Sequence, residues 1–186
     1  MTNTTAVKAC YLIHFFVILL TATSSNPAEL NIANANASQR NNTFPGLKDQ
    51  VTSLPNITFT IPYRHYAGYL DSINNTHLFY WFFESQSEEP EKDPVVVWFN
   101  GGPGCSSLYG ALSEISPLRM NLNFTIGANP FAWTQKANII FLESPAGVGF
   151  SYQTNATDYV TNDEETVEVN FGALKSFFHK FPHLQN

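Results

Sequence analysis

The residues best suited to chemistry lie in Val95-Val96-Val97-Trp98-Phe99-Asn100-Gly101-Gly102-Pro103-Gly104-Cys105-Ser106-Ser107. A run of β-branched and aromatic residues passes without a linker into a turn of three glycines and a proline, then into two serines able to cap a helix. That order predicts strand, tight loop and helix start. In an α/β sheet such a loop lies at the carboxyl end of a strand, where ligands bind. Glycines there let backbone N–H groups approach a ligand with no Cβ in the way. Asn100 to Ser107 therefore has the makings of a cradle for an anion or an oxyanion.

A second apolar run, Ala137 to Leu142, also ends in a glycine loop, Glu143-Ser144-Pro145-Ala146-Gly147-Val148-Gly149-Phe150-Ser151-Tyr152. Ser144 looks like a nucleophile on a sharp turn, but two features exclude it. Leu142 stands at −2, where a nucleophile elbow calls for glycine, and Pro145 at +1 has no N–H to complete an oxyanion hole. The histidines (His14, His65, His77, His179 and His183) are scattered, and no spacing suggests a metal site. His179 reads as a surface residue favoured by a helix C-terminus.

The elements that must position these loops follow from the flanking patterns. Tyr66 to Leu70 and His77 to Glu84, separated by the turn-type cluster Asp71 to Asn75, predict a β-hairpin. Val95 to Phe99 is apolar throughout, as expected of a strand with both faces covered. Ser106 to Ile115 predicts a short helix ending near Pro117, and Asn121 to Trp133 is expected to be irregular. Asn162 to Lys180 predicts a helix with Val167, Phe171, Leu174 and Phe178 on its apolar stripe, acids first and lysines last. A hairpin followed by strand–helix alternation predicts the α/β class.

The chain has 186 residues, 44% hydrophobic and 15% aromatic, enough for a real core. A net charge of −6 and the lack of any basic cluster exclude a nucleic-acid footprint and favour small molecules or peptides as partners. Lys8, the apolar run Ala9 to Leu20 and the small residues after it predict a secretory signal peptide over residues 1–24. The alternative, a retained anchor and hence a membrane partner, is disfavoured because spanning a bilayer takes about 20 apolar residues. Residues 25–48 predict a disordered leader, and a folded domain is expected over 49–186. Sequons at Asn36, Asn41, Asn56, Asn74, Asn123 and Asn155 suit the secretory route to an extracellular, vacuolar or lysosomal destination. Cys10 would leave with the signal peptide, so Cys105 is expected either as a free thiol or bonded beyond the end of the chain.

Trp98 to Ser107 resembles the hallmark loop of the serine carboxypeptidases, secreted or vacuolar α/β-hydrolases. Glu143 to Tyr152 is similar to that family's second signature and Tyr66 to Leu70 to its first hairpin, so the resemblance covers about Val51 to Pro182. It implies the N-terminal part of an α/β-hydrolase sheet: an antiparallel hairpin, then parallel strands with helices, truncated.

By that resemblance the Gly102 N–H donates to the oxyanion. Asn100 and the Gly101 N–H hold the substrate's free C-terminal carboxylate, and Tyr109 and Glu114 line the substrate pocket. For Tyr109 a core role and for Glu114 a solvated or capping role remain the competing readings. No cofactor and no metal is implied, and Cys105 would pair with a distant cysteine absent here.

The family's nucleophile lies in a Gly-Glu-Ser-Tyr-Ala-Gly turn that this chain does not contain, so the chain alone is expected to be inactive. The same scaffold supports acyltransferases and hydroxynitrile lyases, and a secreted non-catalytic binding protein is the remaining alternative. Truncation is expected to expose the strand Val95 to Phe99 as a sheet edge.

Overall fold

The computed structural model describes residues 43–154 and 159–185. The signal peptide, most of the leader, Cys10 and the sequon asparagines Asn36, Asn41 and Asn155 lie outside the described residues. The strands are β1 (His65–Asp71), β2 (Thr76–Phe83), β3 (Val95–Trp98), β4 (Leu118–Met120), β5 (Ile126–Ala128), β6 (Asn138–Leu142) and β7 (Tyr152–Gln153). The helices are α1 (Ser107–Ser113) and α2 (Asp163–Lys180).

The main sheet runs β1-β2-β6-β3, with β7 pairing the start of β2. β2 runs antiparallel to both β1 and β6, whereas β3 and β6 are parallel, with Trp98 opposite Phe141. The expected hairpin forms, its turn carried by Asn74 and Asn75 at φ of 56° and 54°, a left-handed region that asparagine tolerates better than most residues. Among the described residues β3 has a strand on one side only, so it is an edge of the sheet, as β1 is at the other side.

The uninterrupted apolar strands follow from a core on each face. Alternate residues of a strand point to opposite sides. Leu78, Tyr80 and Phe82 of β2 and Ile140 and Leu142 of β6 join Val169, Ala173 and Phe177 of α2 on one face. Trp81 and Phe83, Ile139 and Phe141, and Val96 and Trp98 join Ala111 and Ile115 on the other. Leu118 and Ile126 belong to this second core, in β4 and β5, an antiparallel pair whose second strand lies where the sequence suggested irregular chain. Strands of three residues are too short to leave a periodic signal.

Both helices start where their caps predict. The Ser106 hydroxyl accepts from Leu108 N and the Asn162 side chain from Glu165 N. The face of α2 keeps half of the expected stripe: Leu174 and Phe178 pack against the core, whereas Val167 and Phe171 are 66% and 62% exposed and Val169, Ala173 and Phe177 face the sheet. Small residues explain the choice. A Cβ on Gly172 would collide with Ser72, whose hydroxyl donates to Val169 O at 2.6 Å, so Gly172 and Ala173 bring the helix axis close to the hairpin.

Order also begins earlier than expected. A 3-10 turn at Pro45–Asp49 precedes β1, and Phe44 is buried against Tyr66 and Phe181. Lys180 Nζ at the end of α2 bonds Asp49 Oδ2 at 2.6 Å, and the Tyr80 hydroxyl donates to the same oxygen at 2.8 Å. The expected start of the folded part at Asp49 therefore moves upstream to Phe44. Residues 25–48 as a whole offered little to bury, but Phe44 at their end anchors the turn.

Candidate active-site loops

Because β3 and β6 are parallel neighbours, the chain leaves both at the same end of the sheet. Their two glycine loops thus emerge side by side, the position at which open α/β sheets bind ligands. Three side chains fasten one loop to the other. Ser107 Oγ donates to Leu142 O at 2.7 Å and accepts from Asn100 N at 3.1 Å. The Ser106 hydroxyl donates to Glu143 Oε1. Glu143 Oε2 accepts from Phe150 N at 2.7 Å, closing its own loop back on itself.

Glu143 is fully buried. A buried carboxylate is tolerated only when donors satisfy it, and the two donors named above do so. Gly149 makes room for it: its φ is +53°, and a Cβ there would overlap the Glu143 carboxylate. The Ser151 hydroxyl donates to Glu143 O at 2.6 Å and accepts from Phe79 N at 2.7 Å, tying the loop to β2. Glu143 was missed as a site residue in the sequence. The available signal was an acid directly after the apolar run Ile139 to Leu142, where its carboxylate must be buried or paired.

Within the first loop, Gly102 and Gly104 adopt φ of +131° and +101°, a region open to glycine. Gly101 and Gly102 are exposed, and among the described residues neither N–H donates a hydrogen bond. Asn100 is oriented from behind: Trp98 Nε1 donates to its Oδ1 at 2.7 Å. With its acceptor engaged, the amide offers its Nδ2 donor. Gly110 of α1 permits this arrangement, since a Cβ there would lie 2.8 Å from Asn100 Oδ1 and overlap the Trp98 indole.

Glu114 is the residue just after α1, and its N–H bonds Gly110 O at 3.1 Å. It is half-buried, and burial raises its carboxyl above the usual carboxylate range. Tyr109 is 50% exposed, so it is a surface residue of α1 and not a core one. Phe99 and Phe150, flanking the two loops, are likewise 43% and 60% exposed. Asn100, Gly101, Gly102, Tyr109 and Glu114 thus sit on one continuous loop-helix segment.

Cys105 is disulfide-bonded and so is not a free thiol. No second cysteine occurs among the described residues. Ser144 donates to Asn170 Oδ1 of α2 at 2.6 Å. It pins the loop to the helix, and no described histidine bonds it. His65 is buried, accepts from Trp81 Nε1 at 3.0 Å, and is held to about 4 by burial, far from its usual value near 6.5. His179 is exposed in the last turn of α2. Among the described residues no cluster of His, Cys, Asp or Glu could hold a metal ion, and no helix is long and apolar enough to cross a membrane.

A sequence model of the serine carboxypeptidase family matches residues 55–186. The lysosomal protective protein of Mus musculus is 46% identical over 148 residues, 79% of this chain and 31% of that protein. Serine carboxypeptidase-like 31 of Arabidopsis thaliana is 46% identical over 145 residues, 75% of this chain and 29% of that protein. A prohormone-processing carboxypeptidase from Saccharomyces cerevisiae superposes with a TM-score of 0.58 at 28% identity, covering 76% of this chain and 32% of its own. The chain spans about a third of the length of the curated relatives it matches. Over that span, its paired glycine loops, its mixed sheet and its sequence agree: the chain belongs to the serine carboxypeptidase family.

Proposed function

We propose that the whole protein carrying this chain is a serine-type carboxypeptidase that releases C-terminal residues from peptides through an acyl-enzyme. The observation that carries this reading is the Trp98–Asn100 bond, which engages the amide's acceptor and leaves Nδ2 as a donor on the residue before Gly101 and Gly102, whose N–H groups make no hydrogen bond among the described residues. An array of neutral donors suits a carboxylate without adding a fixed charge. In this reading Asn100 Nδ2 and Gly101 N–H hold the substrate's C-terminal carboxylate, and Tyr109 and Glu114 line the pocket.

Gly102 N–H donates to the oxyanion, a contact whose loss costs about 3 kcal/mol of barrier. The nucleophile turn does not occur in these 186 residues, so the remainder of the protein would supply it. The 186-residue chain by itself should be inactive.

The route is secretory: residues 1–24 act as a cleaved signal, the sequons Asn36, Asn41, Asn56, Asn74, Asn123 and Asn155 are available for glycosylation, and the destination is extracellular or lysosomal/vacuolar. The test is hydrolysis of an N-blocked dipeptide with a free C-terminus against its C-terminal amide, using the whole protein. Release from the acid well above the amide supports the reading; equal turnover, or none of either, refutes it.

A further inference from the structure

Resting on the secretory reading, we propose that Asn123 is an occupied N-glycosylation site whose glycan covers the apolar tip of the β4–β5 hairpin. The sequon Asn123-Phe124-Thr125 forms the turn between the two strands, closed by Asn121 N to Thr125 O at 2.8 Å. Asn123 is exposed, and its Oδ1 accepts from both Thr125 N at 3.2 Å and Thr125 Oγ1 at 2.7 Å. The Thr125 hydroxyl also accepts from Asn121 Nδ2 at 2.9 Å. The acceptor amide and its own threonine are thus held together, while Nδ2 makes no hydrogen bond among the described residues.

The other described sequons differ. The Thr58 hydroxyl, two residues after Asn56, is committed to Ile126 O at 2.9 Å, and Thr76, two residues after Asn74, is 3% exposed. Only at Asn123, among these three, does the folded chain present asparagine and hydroxyl as a unit.

The tip also has something to cover. Leu122 is 103% exposed, Phe124 74% and Met120 43%, an apolar cluster of the kind that soluble proteins either use or shield. In the modification, Asn123 Nδ2 forms a bond to the anomeric carbon of an oligosaccharide carried on a lipid diphosphate. The bond from that carbon to the diphosphate oxygen breaks, the lipid diphosphate leaves with the electron pair, and the amide gives up one proton.

The experiment expresses the whole protein in glycosylation-competent secretory cells and maps glycopeptides by mass spectrometry, with amidase release marking each occupied asparagine as aspartate. Glycan on most copies of Asn123 is expected. Thr125→Ala should remove it, Thr125→Ser should retain it, and the Thr125→Ala protein should bind several-fold more of a hydrophobic dye. An unmodified Asn123 beside another occupied sequon overturns the proposal and spares the secretory reading. No glycan at any sequon overturns both. Loss of the glycan without a rise in dye binding refutes the covering role, and if Thr125→Ala is not secreted, wild-type occupancy and dye binding before and after amidase treatment decide the two points.

Discussion

The Ser106 hydroxyl on the first glycine loop donates to the buried carboxylate of Glu143 on the second, although the two residues stand 37 positions apart. Glu143 also holds Phe150 N, so one side chain sets the spacing of both loops. Replacing it with alanine strands two donors, each costing about 1–3 kcal/mol when left unsatisfied. Glu143→Ala should lower the melting temperature of the whole protein by several degrees, and Glu143→Gln by less because it keeps one acceptor. Gly149→Ala should be at least as damaging, since its Cβ would occupy the carboxylate's place. Calorimetry on the three variants checks the order.

His65 makes stability depend on pH. Its folded-state value of about 4 lies below the usual 6.5 because burial disfavours the charged ring. The unfolded chain therefore takes up a proton that the fold refuses. Its contribution, about 3 kcal/mol, is full above pH 6.5 and is lost through the window down to about 4. Denaturant midpoints between pH 4 and 7 should fall on acidification, and His65→Gln should flatten that slope.

The N-terminal turn is held by charge as well as by Phe44. Asp49 accepts from Lys180 and Tyr80 with both ion-pair partners about 15% exposed. Asp49→Asn should cost about 2 kcal/mol, discounted from a fully buried pair because solvent reaches it. Lys48→Met, on an exposed neighbour, should cost nothing measurable. Urea unfolding of the two variants separates them, and limited proteolysis should cut Asp49→Asn first within residues 43–49.

How much of this was legible in the sequence varies with the kind of signal. β3, β6 and both helix starts were, because uninterrupted apolar runs and Ser or Asn caps are local. The stripe on α2 was legible only in Leu174 and Phe178: periodicity alone did not show that Gly172 and Ala173 bring the helix close to the hairpin and turn Val167 and Phe171 outward, because that depends on the partner surface. β4 and β5 escaped for want of length. In the loops, Asn100 and the glycines were readable from residue type, but the Trp98 bond that orients Asn100 and the Glu143 tether are long-range or rotamer-level facts that spacing does not encode.

Glu114 should give substrate binding a pH limit. Burial raises its carboxyl, so it stays protonated to higher pH than an ordinary glutamate. While neutral it can donate to a substrate carboxylate; once ionised it repels one. KM for a free-acid dipeptide should therefore rise as pH increases through that value, with kcat changing less. Glu114→Gln, neutral at every pH, should lose most of the rise.

The most direct measurement of the account is the acid-to-amide preference of the whole protein with Asn100 intact and with Asn100→Ala. Kinetics on an N-blocked dipeptide and its C-terminal amide should show the preference for the free acid falling at least tenfold in Asn100→Ala, mostly through KM for the acid. An unchanged preference would contradict the assignment of this loop as the carboxylate site.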